Sequence, residues 1–141
     1  METLGKIVFP GEAMSLAGVR ERVRRFLKSS EFHEEERARL VMAVDEACSN
    51  AIRHASDGLI KPVRLEMKLL HDRVRFVLRD YGKPFKPTSV EARNLKNIRP
   101  VGYGLFIINE VFDVVEYTPQ PRGTRLKLEK LLPAERPQSC F

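Results

Sequence analysis

No apolar run in this chain approaches the ~20 residues that cross a bilayer. Nor does it open greasily: METLGKIVFPGEAM carries charges where a secretory leader needs an unbroken apolar core. A cytoplasmic chain without membrane association is the expectation. Cysteine is scarce, with Cys48 inside a helix-like segment and Cys140 near the end, too few for a disulfide framework or a spaced metal site. Both are expected to be plain thiols. Internal repeats and low-complexity segments are absent, and no glycine occurs between Gly82 and Gly102. Also missing is an aromatic platform between basic strands, on which single-stranded nucleic acid would stack. The net charge of +6 therefore has little to say about nucleic acid, because basic residues are interleaved with acids in VRERVRRFLKSSEFHEEERAR. An acidic protein or a nucleotide accounts for the charge equally well.

What is present suffices for one domain. The chain has 141 residues, 43% of them hydrophobic and 31% charged, an ordinary globular composition. Leu4 to Phe9 alternates loosely and stops at Pro10-Gly11, as a short strand does. From Ser15, a candidate N-cap, Leu16, Val19, Val23, Phe26 and Leu27 recur at helical spacing, predicting an amphipathic helix to about Lys28. A second helix is expected from about Glu34 to Ala55, with acids in its first turn, an apolar stripe through Leu40, Val44, Ala47 and Ala51, and a stop at Asp57-Gly58. Val63 to Leu69 and Arg73 to Arg79 alternate as half-buried strands around a His71-Asp72 turn.

From Tyr81 to about Val101 no period is sustained, and an irregular stretch of about twenty residues inside a compact domain tends to be functional, such as a lid. Helical spacing resumes from Gly102 to Phe112, Val114 to Tyr117 and Thr124 to Leu132 read as strands, and residues 133–141 as a frayed tail after a domain of residues 1–132. The order β-α-α-β-β-loop-α-β-β implies an α+β fold, a two-layer α/β sandwich whose mixed, mostly antiparallel sheet carries its helices on one face.

Four local features carry candidate chemistry, and each has an ordinary reading. Glu46 and Asn50 lie four apart on the second helix, so they point the same way one turn apart, as residues of a solvated stripe also do. The small residues of Ala-Cys-Ser-Asn-Ala would let a ligand or another backbone approach there. Asp80-Tyr81-Gly82 follows an apolar strand, where an acid can accept from a base amino group or merely make a turn. Pro-Val-Gly-Tyr-Gly-Leu, residues 100–105, opens a helix, a setting in which glycines expose N–H groups to phosphate, although a lone Gly-x-Gly is a weak signal. Gly123-Thr124 by itself is a hairpin turn.

Taken in order, an Asn on a long helix, Asp-x-Gly after a strand, a long loop, Gly-x-Gly-Leu opening a helix and Gly-Thr on a strand resemble the four sequence boxes of the Bergerat-fold (GHKL) ATPases. Within that superfamily the chain looks like the single-domain anti-sigma-factor serine kinases. The likeness runs over nearly the whole chain and is most specific in VDEACSNAIRHA and GYGLFIINEVFD. It implies ATP or ADP with Mg²⁺ as the ligands. Asn50 would hold Mg²⁺, and Glu46 would be the general base of an in-line phosphoryl transfer. Asp80 would read the adenine amino group and Gly82 would let the base lie against backbone. Gly102 and Gly104, with Tyr103 and Leu105 beside them, would face the phosphates, and Thr124 would sit by adenine. Arg53 matches the usual ending of the first box, as does His54, and Lys96 and Arg99 would reach phosphate from the lid; packing against the sheet and a solvated lid are the ordinary readings of these.

The resemblance further implies a serine/threonine protein kinase acting on an anti-anti-sigma antagonist, a sigma factor as the second partner, and a homodimer. Two departures stand against it. Asp80-Tyr81-Gly82-Lys83-Pro84 lacks the second glycine that many superfamily members carry, and the lid is poor in glycine. A binding module that sequesters a regulator without catalysis is accordingly the alternative. No phosphoacceptor-histidine helix is found ahead of the domain, which argues against a complete sensor kinase.

Overall fold

The computed structural model describes residues 3–54, 59–82 and 100–137, and for 100–104 the backbone alone. Five strands form one sheet: β1 (Thr3–Pro10), β2 (Pro62–Leu69), β3 (Arg73–Arg79), β4 (Val114–Pro119) and β5 (Thr124–Leu131). Their order across the sheet is β1-β2-β3-β5-β4, and every pairing among the described residues is antiparallel. Three helices, α1 (Leu16–Leu27), α2 (Glu34–His54) and α3 (Pro100–Val111), make the second layer. This is the two-layer α+β sandwich expected from the order of elements.

Alternation decides which face meets the helices. Val63, Leu65 and Met67 of β2, Val74, Phe76 and Leu78 of β3, and Leu126 and Leu128 of β5 are buried, while their sequence neighbours are mostly half-buried or exposed. Against that face α1 sets Val19, Val23 and Leu27, and α2 sets Leu40, Val44, Ala47, Cys48 and Ala51. The Phe76 ring meets Phe112 edge-on, with centroids 5.9 Å apart and an interplanar angle of 72°, and so fastens the end of α3 to the middle of the sheet. Across the outer helix surface Arg20 Nη1 donates to Asp45 Oδ1 at 3.0 Å and ties α1 to α2.

Three local expectations change. Ser15 stands at the start of α1 but caps nothing. A 3₁₀ turn at Ala13–Ser15 already brings the chain in with helical backbone angles, and the Ser15 hydroxyl instead donates to the Pro10 carbonyl at 2.8 Å. α3 begins at Pro100, so Gly102 and Gly104 lie inside its first turns and not ahead of it; proline suits a first helical position because the N–H it lacks has no intrahelical acceptor there. The strand after α3 continues through Pro119. Leu132, the last residue of the expected domain, is buried; of the segment read as a tail, Pro133–Glu135 forms a 3₁₀ turn, and Arg136 pairs with Glu36 and lies over the Phe32 ring, 5.8 Å from its centroid. The helix stop at Asp57-Gly58, the lid segment 83–99 with Lys83, Pro84, Lys96 and Arg99, and Cys140 lie outside the described residues. Among the described residues no helix is long and apolar enough to cross a membrane.

Candidate functional site

One face of α2 and the ends of three strands enclose a narrow pocket. Ala47, Asn50, Ala51 and His54 follow one another at i, i+3, i+4 and i+7, so a single helix face supplies four wall residues. The sheet supplies Leu78 from β3 and Asp80 just after it, Tyr117 from β4, and Thr124 and Leu126 from β5. The alanines keep that face of the helix low, and without their small side chains there would be no space between α2 and the sheet.

Asp80 lies at the sheet side of this pocket, only 6% exposed. Its backbone N–H donates to the Thr124 carbonyl at 3.1 Å, extending the β3–β5 ladder by one step, and its Oδ1 accepts the Gly82 N–H at 3.1 Å. Burial pushes its carboxyl above the ordinary aspartate range, and the Gly82 N–H, the Arg79 charge and the Thr124 N–H offset that only in part. The Arg79 guanidinium donates to the Asp80 carbonyl and stacks over the Tyr81 ring, 4.3 Å from its centroid. Gly123 closes the arrangement from the other strand. It adopts φ +82°, and a Cβ there would lie 2.1 Å from the Asp80 carbonyl oxygen and 2.8 Å from Asp80 Oδ1. Two independent constraints, a left-handed backbone and contact with a neighbouring main chain, thus demand glycine.

Opposite Asp80, Asn50 is 7% exposed. Its Oδ1 accepts from Arg53, which also reaches Ser49 Oγ at 3.4 Å, while its Nδ2 is buried without a hydrogen-bond partner among the described residues. An unmatched buried amide costs about 1–3 kcal/mol, so a ligand group that accepts from it starts with that advantage. Burial raises the Tyr117 hydroxyl to about 12, keeping it neutral and able to donate. The Cys48 thiol is completely buried behind the same helix; desolvation, with the Asp45 charge adding, pushes it far above the ordinary thiol range, so it is inert packing.

The structure therefore gathers Asn50, Asp80 and Thr124, which the sequence places far apart, around one cavity. Gly82 is held against Asp80 by its own N–H. Glu46 sits half-buried one turn before Asn50, outside the pocket wall and without an ion pair among the described residues. Arg53 is exposed beyond its hold on Asn50. Gly102, Tyr103 and Gly104 contribute backbone to the first turns of α3. Leu105 is buried, and its carbonyl accepts from Asn109 Nδ2 at 2.8 Å. Sequence reasoning passed over Tyr117, Leu78 and Leu126, because strand alternation marks them as core and nothing in the pattern separates a core position from a pocket wall. It passed over the close fit of Gly123 as well, since Pro-Arg-Gly-Thr reads as a turn.

Residues 9–130 match the model of the histidine kinase-like ATPase domain. The chain is similar to the serine-protein kinase RsbW of Staphylococcus aureus, 26% identical over 104 residues, which are 67% of this chain and 65% of that protein. It is 29% identical over 99 residues to the serine-protein kinase RsbW of Halalkalibacterium halodurans, covering 64% of this chain and 60% of the relative. The chain thus spans less than two thirds of the length of these relatives. Among solved structures, the histidine kinase domain of the Erythrobacter litoralis EL346 blue-light activated histidine kinase superposes with a TM-score of 0.57 at 16% identity, covering 90% of this chain and 63% of that one, a likeness of fold.

Proposed function

We propose that this chain, which belongs to the histidine kinase-like ATPase domain family, binds ATP with Mg²⁺ in the pocket between α2 and the sheet and acts as a serine/threonine protein kinase in an anti-sigma partner switch. The observation that carries the reading is the convergence of a buried acid and an unsatisfied buried amide on one cavity. A buried carboxylate restrained by Gly82 and Thr124 suits an exocyclic amino group, and Gly82, held at Asp80 by its N–H, carries no side chain that would keep a base away. Asn50 would hold Mg²⁺ through Oδ1, displacing Arg53, and no cluster of three or more acidic, histidine or cysteine ligands competes for the ion among the described residues. Mg²⁺ commonly takes one or two protein ligands and completes its shell with phosphate and water.

When bound, ATP supplies the phosphoryl group. Glu46, one turn from Asn50 on the same helix, would take the proton of an incoming hydroxyl, and the amides of the first turns of α3, with its N-terminal dipole, would favour phosphate. The similarity to serine-protein kinases supports a protein substrate; the resemblance of the four sequence boxes to anti-sigma-factor serine kinases adds an anti-anti-sigma antagonist as that substrate, a sigma factor as the sequestered partner, a homodimeric assembly and a cytoplasmic setting. Calorimetric titration with ATP and with ADP, with and without Mg²⁺, tests the ligand. One-site binding that weakens without Mg²⁺ and in Asn50→Ala is expected, and absence of any binding would overturn the reading.

A second reading, a module that sequesters its partner without catalysis, draws on the Arg53 guanidinium at Asn50 Oδ1, which sets a positive charge where a metal would bind until the arginine moves. Phosphate transfer from ATP to the purified antagonist separates the two. Transfer abolished by Glu46→Gln selects the kinase, and tight partner binding with no transfer selects the module.

A further inference from the structure

The solvent side of the sheet is sorted by cross-strand register into rows of very different charge. In one row Lys6 opposes Glu66, and Lys127 opposes Glu116 with 3.4 Å between charged atoms. In the next, Glu129 is held by Arg75 of the same row at 2.6 Å and by Arg73 of the row beyond at 3.0 Å. Both rows neutralise much of their own charge. The row at the Asp80 end does not: Arg64 of β2 lies opposite Arg79 of β3, which lies opposite Arg125 of β5, with Val8 and Thr118 at the two ends. None of these three arginines is in an ion pair among the described residues; Arg64 is exposed, whereas the Arg79 guanidinium already donates to the Asp80 carbonyl and stacks on Tyr81, so Arg64 and Arg125 carry most of the available charge. Like charges directly opposite each other destabilise an antiparallel pair, and here the same cost is incurred twice in succession.

The geometry points to a docking strip for one acidic α-helix of a protein partner, laid across the strands along Arg64, Arg79 and Arg125 with an apolar residue on Val8. Three features select that occupant. The unbalanced charge is a line one row wide, which suits a rod; an anionic membrane would call for a field over the whole face. Neighbouring strands repeat every ~4.8 Å, close to the ~5.4 Å pitch on which a helix presents carboxylates at i, i+4 and i+7, whereas an extended peptide repeats one face every ~6.6 Å. Val8 is 63% exposed at the head of the row, an apolar foothold that a phosphate backbone cannot use. A second copy of this chain would bring the same arginines against each other. The inference does not depend on nucleotide binding, although Arg79 and Arg125 are sequence neighbours of Asp80 and Thr124 on the opposite side of the sheet.

The probe is a fluorescent, alanine-rich helical peptide of about 20 residues with glutamates at i, i+4 and i+7 and a leucine one turn before them, long enough to hold helix in water. Anisotropy at low salt without nucleotide is expected to show saturable binding to the whole chain, weakened at least ~10-fold by Arg64→Glu with Arg125→Glu and by a proline placed in the peptide. Lys127→Gln, whose charge Glu116 already balances, should change affinity less than ~2-fold. Arg64→Gln with Arg125→Gln should also weaken binding, and because it relieves repulsion its melting temperature should equal or exceed that of the parent, which shows that lost binding is not lost folding. The inference is overturned if the peptide does not bind, if the proline peptide binds equally well, if the arginine variants bind as the parent does, or if duplex DNA or phosphatidylserine vesicles bind this row more tightly than the helix.

Discussion

Replacing Gly123 by alanine tests how the pocket is held. The new Cβ would stand 2.1 Å from the Asp80 carbonyl oxygen and 2.6 Å from its carbon, well inside any contact that backbone tolerates. The left-handed conformation at φ +82° costs an alanine about 1–2 kcal/mol before any collision is counted. Relieving the collision requires β5 and the end of β3 to part, which gives up the Asp80 N–H to Thr124 hydrogen bond, worth about 1 kcal/mol. Together these predict a loss of about 3 kcal/mol in urea unfolding, a fall of roughly 10 °C in melting temperature for a chain of this size. Because Asp80 is the group displaced, ATP affinity should fall further than stability alone explains, even at temperatures where the variant is fully folded. Gly18→Ala is the matched control: nothing lies within 4 Å of its Cβ and it sits in α1, so it should gain about 0.5–1 kcal/mol. A Gly123→Ala chain as stable as the parent would refute the geometric argument. One that is destabilised yet binds ATP normally would refute the link between this turn and the pocket.

Other outcomes follow from the same site. Asp80→Asn should keep stability within about 1 kcal/mol, since it removes a buried charge, while ATP affinity drops roughly 10- to 100-fold with loss of a charged acceptor, by calorimetry. Because burial holds the Asp80 carboxyl above the ordinary range, ATP binding that needs the ionised form should weaken as pH falls through that raised value, earlier than an unperturbed aspartate would allow. Burial raises Glu129, but the hydrogen bonds from Arg75 and Arg73 outweigh it and leave its carboxyl below the ordinary value. Its stabilising contribution is therefore complete above the unfolded glutamate pKa and is lost as pH falls through the lower folded value. Glu129→Gln should cost about 1–3 kcal/mol at neutral pH and flatten the acid limb of a stability profile. Glu46→Gln is expected to leave nucleotide affinity within about twofold and to lower phosphoryl transfer by ~100-fold or more, measured with the purified antagonist.

Much of the frame was legible because single elements carry their own periodicity. The β2 and β3 alternation and the apolar stripes of α1 and α2 need no distant partner to be read, and the burial of Val19, Val23, Leu27, Val63, Leu65 and Val74 follows them. Strand order was not legible. The insertion of β5 between β3 and β4 depends on which edges meet once the helices cover one face, and no local pattern encodes that. The same limit applies to the site. Asn50 and Asp80 stood out as polar residues in small-residue or turn settings, but Tyr117 and Leu126 are indistinguishable from core until the sheet is assembled. Ser15 misled for the opposite reason: its residue type is right for a cap, yet the preceding 3₁₀ turn leaves no extended residue from which a hydroxyl could reach back.

The pairing of β3 with β5 joins segments separated in sequence by the whole of α3 and β4, so it is among the costliest loops in the molecule to close. Asp80 and Thr124 meet only once those two strands have paired. A partly folded chain can possess α2, with Asn50 in place, and still own half a pocket. Nucleotide would then be invisible to intermediates that lack this pairing: it should slow unfolding more than it speeds refolding, and a newly made chain would become responsive to ATP only once β3 and β5 have joined.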